Sequence, residues 1–277
     1  MRVDEGYVDF RDYRTWYRVV GDRAAGAVPL LALHGGPGST HNYFEPLERL
    51  GSERPVVLYD QIGCGNSDHP GDIEWSAGVF REEVDTVRTQ LGLERIHLLG
   101  TSWGGMLALE HVLSGAQGIV SLILSSTLAD INQWAEEQAK LRAEVDTDDE
   151  YMDRHFYRGP KPRPEIERME AQKATDVYEA MQGPNEWTPT GALRGWNVRD
   201  RLREIDVPTL VVRGRHDMCT DAIAATLVDG IRDAEEVVLE HSSHTPVLEE
   251  SDRYVEVVGA FVREAESGGG RIRTSVG

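Results

Sequence analysis

The sequence predicts an α/β fold in which helices cover both faces of a mostly parallel, doubly wound sheet. Three observations lead to this fold class: short, unbroken apolar runs recur, helix-length segments separate several of them, and the alternation covers most of the 277 residues. A short, unbroken apolar run is typical of a strand buried on both faces, as in a parallel sheet. Alternating strands and helices favour right-handed crossovers between parallel neighbours.

The predicted elements follow one another along the chain. Two strands near the start, around Gly6–Phe10 and Thr15–Val20, are joined by a turn at Asp12-Tyr13 and form a hairpin. Six apolar runs predict further strands, at Val28–Leu33, Pro55–Tyr59, Ile96–Leu99, Ile119–Leu124, Thr209–Val212 and Glu236–Leu239. Helices are predicted between or after them, at Trp75–Leu91, Trp103–Leu113, Ala222–Gly230 and Asp252–Glu266.

One stretch between Leu128 and Arg203 interrupts the alternation. It has no credible buried strand; helix-favouring charged residues come first, prolines 160, 162 and 164 break the pattern, and a helical pattern resumes over Glu165–Met181. Because a structureless loop of about 75 residues would be unusual, we expect a helical cap over one end of the sheet. The predicted organisation is an α/β core in two parts (1–127 and 204–266), an inserted cap (128–203) and a disordered, Gly-rich tail (267–277).

The charge and composition exclude several classes of function. The chain has 29 Lys+Arg against 48 Asp+Glu, a formal net charge of −19, and no run of basic residues. Nucleic acids and anionic membrane surfaces are therefore unfavourable partners. No apolar run reaches the roughly 18 residues of a membrane span, and no signal-peptide core follows the first residues. Two cysteines, Cys64 and Cys219, make no disulfide framework, so we expect a cytoplasmic protein.

The most specific local pattern is a nucleophile elbow around Ser102. The strand Ile96–Leu99 runs directly into Gly100-Thr101-Ser102-Trp103-Gly104, and a predicted helix follows. This is Gly-x-Ser-x-Gly in the strand–turn–helix context that the motif requires. The flanking glycines are needed because the serine lies on a strained turn where neighbouring side chains would clash. Ser102 is therefore the candidate nucleophile.

A serine nucleophile needs a base and an acid that orients the base, in the chain order Ser, Asp or Glu, His. Asp217 follows the strand Thr209–Val212, and His244 follows the strand that ends at Leu239, so both lie at carboxyl ends of strands. Asp221 is the rival for the acid. His241 is the rival for the base, but it lies too close to its strand to reach across to the serine.

A Gly-rich turn provides half of a candidate oxyanion hole. The strand Leu30–Leu33 ends in His34-Gly35-Gly36-Pro37-Gly38, and glycine lets backbone N–H groups face a developing oxyanion. In this fold the second N–H belongs to the residue after the nucleophile, which is Trp103. We interpret His34 as a hydrogen-bonded structural residue and not as a second base.

Taken together, five segments resemble the proline iminopeptidase family of α/β-hydrolases, and they are similar to the tricorn-interacting aminopeptidases and related L-amino-acid amidases. The likeness extends over about residues 29 to 262. The first and fourth segments are far more specific than the elbow alone. The segments are 34–38 (HGGPG), 60–67 (DQIGCGNS), 100–105 (GTSWGG), 181–187 (MQGPNEW) and Ser243-His244.

The resemblance implies an α/β-hydrolase fold with Ser102, Asp217 and His244 as the catalytic triad. It also implies that the N–H groups of Gly36 and Trp103 form the oxyanion hole.

The resemblance further implies that a cap carboxylate, Glu186, binds the free α-ammonium of the substrate. In tricorn-type members a second Glu follows the catalytic Asp, whereas this chain has Met218 there. One carboxylate then remains, or another acid substitutes for the second. Because methionine provides adaptable apolar surface, Met218 is also expected to make the pocket favour a bulkier, more apolar group on the amine side.

The implied function is a serine hydrolase that cleaves an N-terminal aminoacyl amide through an acyl-enzyme, without a cofactor or metal. Its substrate would be a short peptide or an aminoacylated small molecule with a free amine. A carboxylesterase or lactonase with the same triad is the alternative. A catalytically silent binding protein would show a broken triad, which this chain does not. Dehalogenases and epoxide hydrolases are disfavoured because they place Asp at the elbow.

Overall fold

A computed structural model describes residues 1–23, 26–160 and 163–268 of the chain. These residues form an eight-stranded sheet with the order β1-β2-β4-β3-β5-β6-β7-β8. The strands are β1 (Val3–Phe10), β2 (Tyr13–Val20), β3 (Leu30–Leu33), β4 (Val56–Tyr59), β5 (Ile96–Thr101), β6 (Ile119–Ser125), β7 (Thr209–Gly214) and β8 (Ala234–Leu239).

The sheet is antiparallel at one edge and parallel elsewhere. The hairpin β1–β2 pairs antiparallel and joins β4 antiparallel, whereas β4, β3, β5, β6, β7 and β8 run parallel. The predicted mostly parallel, doubly wound sheet is confirmed. The chain leaves β3 for β4 on one side and reaches β5 on the other. The carboxyl ends of β3 and β5 therefore lie at the switch point where such sheets bind ligands.

Helices follow the strands much as the sequence predicts, and α2 has the predicted bounds. They are α1 (Ala77–Gln90), α2 (Trp103–Leu113), α3 (Ile131–Arg142), α4 (Asp148–His155), α5 (Pro164–Ala171), α6 (Thr175–Met181), α7 (Asp221–Gly230), α8 (Pro246–Glu249) and α9 (Ser251–Ser267). Among the described residues, no helix combines the length and apolarity that crossing a bilayer requires.

Two apolar layers cover the sheet, one on each face. Successive strand residues alternate between them: Leu31 and Leu33 join one cluster, with side chains of α1, α2 and α7, while Leu30 joins the other, with side chains of α9. This alternation is the period of two that a pleated strand imposes. Both faces are apolar because helices cover both, which explains why the strands have unbroken apolar runs.

A long 3₁₀ segment, His41–Ser52, was not predicted. Proline lies inside it at position 46, yet Phe44, Leu47 and Leu50 are buried against the sheet and α9. Tertiary packing of this apolar face therefore outweighs the weak local helix signal. A second 3₁₀ segment, Arg199–Glu204, precedes β7 and was also not predicted.

The stretch between β6 and β7, residues 128–203, is called the insertion below. It contains α3 to α6, but the single helix expected over 165–181 is wrong, because the chain forms α5 and α6 with a break at 172–174. At this break the Ala174 N–H donates to the Gly38 carbonyl, with N and O 2.8 Å apart. Pro164 was expected to break the helical pattern, but it does not interrupt a helix. It is the first residue of α5, where a missing N–H costs nothing.

The predicted tail begins one residue too early, because α9 extends through Ser267. Gly268 then ends the helix in the left-handed conformation with φ of 68°, a common role for glycine. The rest of the predicted tail, 269–277, lies outside the described residues.

Candidate active site

Ser102 lies between the end of β5 and the start of α2 with φ of 54° and ψ of −122°. This backbone conformation is strained for any residue other than glycine. The Ser102 N–H donates to the Ser125 carbonyl on β6, with N and O 3.0 Å apart, which helps to hold the turn. The turn directs the serine into a pocket that it shares with His244.

Close backbone contacts explain the glycines around Ser102. A Cβ atom at Gly100 would overlap the Gly104 carbonyl, and one at Gly104 would overlap the Leu33 carbonyl of β3. Both residues must therefore lack a side chain for the elbow to pack against the neighbouring strand. The sequence motif is thus explained by the packing of β5, α2 and β3.

His244 and Asp217 form a buried pair on the loops that follow β8 and β7. The His244 Nδ1 lies 2.7 Å from the Asp217 Oδ1, which also accepts a hydrogen bond from the Cys219 N–H at 2.8 Å. Burial lowers the pKa of His244, but the charge and the hydrogen bond of Asp217 outweigh it, with a smaller contribution from Glu186. The pKa of His244 therefore lies above its ordinary value.

The two rival residues lie elsewhere. The Asp221 side chain is 80% exposed and pairs with Arg213. His241 is exposed, and its N–H donates to Glu250 with N and O 3.0 Å apart. The structure thus brings together the pair predicted from the sequence and leaves the rivals apart from it.

Hydrogen bonds shape the Gly-rich loop after β3. The Gly35 N–H donates to the Tyr43 hydroxyl, while Gly36 adopts φ of 110°, which favours glycine. Among the described residues, the loop hydrogen bonds leave the Gly36 N–H without a partner, and Trp103 is the first residue of α2, so its N–H has no acceptor within the helix. Two adjacent loops therefore offer two free amide donors beside Ser102.

Gln61 links these two loops, a role that sequence reasoning missed. Its amide Nε2 donates to the His34 carbonyl and its Oε1 accepts from the Trp103 indole, both at 2.8 Å. Its N–H donates to the His34 Nε2 at 2.9 Å, and burial lowers the pKa of His34 to about 4. His34 is therefore a neutral structural residue, as expected. The only available signal was the position of Gln61 within the segment 60–67.

Glu186 lies in the insertion, after α6, and lines the same pocket as Ser102 and His244. Its Oε1 accepts a hydrogen bond from the Tyr178 hydroxyl at 2.8 Å, and its backbone carbonyl accepts from the Trp134 indole at 2.9 Å. Burial raises the pKa of Glu186, although Tyr178 and the positive charges nearby oppose this effect. The role of Tyr178 could not be predicted, because no local spacing rule joins it to Glu186.

Comparison with known proteins decides the family. Residues 30–257 match the alpha/beta hydrolase family. The proline iminopeptidase of Clostridioides difficile is 40% identical over 93% of this chain and 97% of its own length. The chain belongs to the proline iminopeptidase family of α/β-hydrolases. The prediction of a serine hydrolase related to these enzymes is confirmed.

Solved structures agree with this family. The proline iminopeptidase of Mycobacterium smegmatis superposes with a TM-score of 0.86 at 34% identity, over 96% of this chain and 99% of its own. VinJ superposes with a TM-score of 0.89 at 37% identity, over 95% and 99%. An esterase and a lactone-degrading enzyme, at 21% and 24% identity, show the shared fold alone.

The pocket of this iminopeptidase-family chain is largely apolar. Met152, Phe156 and Met169 of the insertion contribute apolar surface, while Lys173 and Glu170 are exposed. Met218 is not among the lining residues, so the expectation that it shapes the pocket is wrong. It is buried in the core instead, and its carbonyl accepts from Gln138 at 2.9 Å.

Backbone hydrogen bonds tie the insertion to both sides of the site. Besides the bond from Ala174 to Gly38, the His244 N–H donates to the His155 carbonyl at the end of α4, with N and O 3.0 Å apart. No group of three or more side chains in the described ranges is arranged to hold a metal ion.

Proposed function

We propose that the protein is a serine exopeptidase that removes an N-terminal aminoacyl residue, proline among them, from a short peptide or an aminoacylated small molecule. The observation that carries this proposal is a partly buried carboxylate, Glu186, in the same pocket as Ser102 and His244. A carboxylate whose pKa is raised by burial gains most from a cationic partner. A free α-ammonium beside the scissile amide supplies that partner, and the names of the relatives agree with such a substrate.

In the proposed mechanism, the His244 imidazole removes the proton of the Ser102 hydroxyl as the oxygen attacks the aminoacyl carbonyl. Asp217 accepts the Nδ1–H of His244, which keeps Nε2 free to act as the base. The N–H groups of Gly36 and Trp103 bind the oxyanion of the tetrahedral intermediate. His244 then protonates the leaving amine, and a water molecule hydrolyses the acyl-enzyme with the same proton transfers.

We also propose that the insertion, residues 128–203, acts as a cap between the core parts 1–127 and 204–266. It contributes Tyr178, Glu186 and the apolar residues of the pocket, which supports a role in substrate binding. A cytoplasmic location completes the proposal. Its support is that Cys64 and Cys219 are both buried free thiols, which suits a reducing compartment.

Glu186→Gln tests the ammonium site because it keeps the shape of the side chain and removes its charge. A charge-assisted hydrogen bond is worth about 1.5–3 kcal/mol, so kcat/KM for proline p-nitroanilide should fall about ten- to a hundredfold. Hydrolysis of p-nitrophenyl acetate, which has no ammonium, should change little. Steady-state kinetics on both substrates measure the difference.

Glu179→Gln is the matched control, since Glu179 is exposed on α6 and does not line the pocket. It should behave like the wild type on both substrates. Equal losses of Glu186→Gln on both substrates would mean that Glu186 supports the insertion and not the amine. No loss on either would contradict the proposed substrate class.

The pH dependence gives an independent prediction. The base must be neutral, so activity is lost as the pH falls through the pKa of His244, which lies above the ordinary value for histidine. The charge of Glu186 contributes to that raised pKa. In Glu186→Gln the acidic limb of kcat/KM for p-nitrophenyl acetate should therefore move to lower pH. The pH profile of Glu179→Gln should match that of the wild type. An acidic limb that does not move in Glu186→Gln would show that the charges of Glu186 and His244 do not interact.

A further inference from the structure

Lysine is rare in this chain, and one of its lysines, Lys173, lines the candidate active-site pocket. The chain has three lysines, at positions 140, 161 and 173. Lys173 lies between α5 and α6 and lines the same pocket as Ser102, Glu186 and His244. Its side chain is 43% exposed, so it lies where the pocket opens to solvent. A hydrolase of aminoacyl amides needs no cation for the ammonium end of its substrate.

The contacts of Lys173 are weak enough for its ammonium group to exchange its present partner for another carboxylate. The Nζ lies 3.7 Å from the Glu170 Oε2, longer than a hydrogen bond, and Glu170 is 50% exposed. The Nζ also lies 5.8 Å from the centroid of the Tyr178 ring. Ion pairs between exposed groups contribute little stability, so a carboxylate of the substrate can replace Glu170 at small cost.

Tyr178 relates Lys173 to the proposed ammonium site. Its hydroxyl donates to Glu186 inside the pocket, and the same ring faces Lys173 nearer to solvent. The Lys173 Nζ lies 5.8 Å from the ring centroid, and the Tyr178 hydroxyl lies 2.8 Å from the Glu186 Oε1. A single tyrosine side chain therefore bridges the distance between the two opposite charges. A dipeptide spans at most about 7 Å and a tripeptide about 10 Å, so one short peptide can reach both.

The order of groups along the substrate matches this arrangement. An exopeptidase takes the N-terminal residue into the pocket, so the part beyond the scissile bond lies nearer to the opening. We propose that Lys173 binds the carboxylate of the leaving group, which makes short peptides with a free carboxyl terminus the preferred substrate class. This inference rests on the proposed aminoacyl-amide hydrolysis.

The test compares Pro-Ala, Pro-Ala amide and proline p-nitroanilide in wild type and Lys173→Gln. For Pro-Ala, kcat/KM should fall about five- to tenfold in the variant, mostly through KM, because one partly exposed charged hydrogen bond is lost. For the amide and the anilide, which have no carboxylate, kcat/KM should change less than about twofold in the variant. Glu170→Gln should raise the preference of the enzyme for Pro-Ala over its amide, because it removes the competing carboxylate.

Lys140→Gln is the matched control. Lys140 is also a lysine with an acidic partner three residues away, Glu137, but it is 67% exposed and lies outside the pocket lining. It should leave all three substrates unchanged. Because Lys173 and its partner Glu170 are both exposed, Lys173→Gln removes no buried contact, and its melting temperature should equal that of the wild type.

The outcomes separate this inference from the proposed function. A wild-type enzyme that hydrolyses none of the three substrates contradicts the proposed function itself. A wild type that hydrolyses the anilide but treats Pro-Ala and its amide alike, with no change in Lys173→Gln, overturns only the role of Lys173. Equal changes on all three substrates would show that Lys173 acts through the charge of Glu186, which also overturns it.

Discussion

Ser102→Ala should abolish the hydrolysis of both proline p-nitroanilide and p-nitrophenyl acetate, with a loss on the order of 10⁶-fold in kcat. The loss is large because the hydroxyl is the only group of the protein that forms a bond to the acyl carbon in the proposed mechanism. The fold should remain intact. Because alanine keeps a Cβ atom at φ of 54°, the substitution should not relieve the backbone strain of the turn and stabilise the protein. Circular dichroism and thermal melting check the fold.

A fluorophosphonate probe supplies the second readout, because it labels only an activated serine. Ser39 is a good comparison, since it lines the same pocket but does not lie on the strained turn between β5 and α2. The probe should label wild type and Ser39→Ala and fail to label Ser102→Ala. Retention of a tenth of the wild-type turnover in Ser102→Ala would rule out the assignment of the nucleophile.

Asp217→Asn is expected to have the second largest effect, a loss on the order of 10⁴-fold in kcat on both substrates. The carboxylate accepts from the His244 Nδ1 at 2.7 Å, and an amide in its place can present a donor that favours the wrong tautomer of the histidine. Because Asp217 also raises the pKa of His244, the remaining activity should have its acidic limb at lower pH.

Asp221→Asn is the control for that loss, because Asp221 is the other acid that follows β7. It pairs with Arg213 at an exposed position, so its substitution should leave kcat and the pH profile near those of the wild type. A larger loss in Asp221→Asn than in Asp217→Asn would reverse the assignment of the acid. Stopped assays from pH 5 to 9 or so, on the ester, measure both limbs.

The core of the fold could be predicted because its signals are local. The elbow needs only a strand, a glycine-flanked serine and a helix in succession, and α2 has the bounds that this pattern gives. Asp217 and His244 could be paired in advance because both follow parallel strands, whose carboxyl ends meet at one edge. Each of these arguments uses the order of residues along the chain and no distant contact.

The insertion was predicted less well because distant contacts determine it. The helix expected over 165–181 breaks at Ala174, whose N–H bonds to Gly38 more than 130 residues earlier in the chain. The segment 41–52 forms a 3₁₀ helix because α9 and the sheet bury its apolar face. Met218 was misplaced for a related reason: the residue after Asp217 turns into the core, which its neighbours in sequence do not reveal.

The hydrogen bonds from Ala174 to Gly38 and from His244 to His155 have a consequence for how the pocket can open. One joins the insertion to the loop that bears the proposed oxyanion donor, and the other joins it to the backbone of the proposed base. Movement of the whole insertion away from the core as a rigid body would break both bonds and disturb both of these proposed catalytic groups. If the insertion acts as the proposed cap, we expect access to the pocket and the geometry of the proposed catalytic groups to depend on the same two bonds. Exchanging insertions between relatives would transfer part of the catalytic geometry together with the specificity.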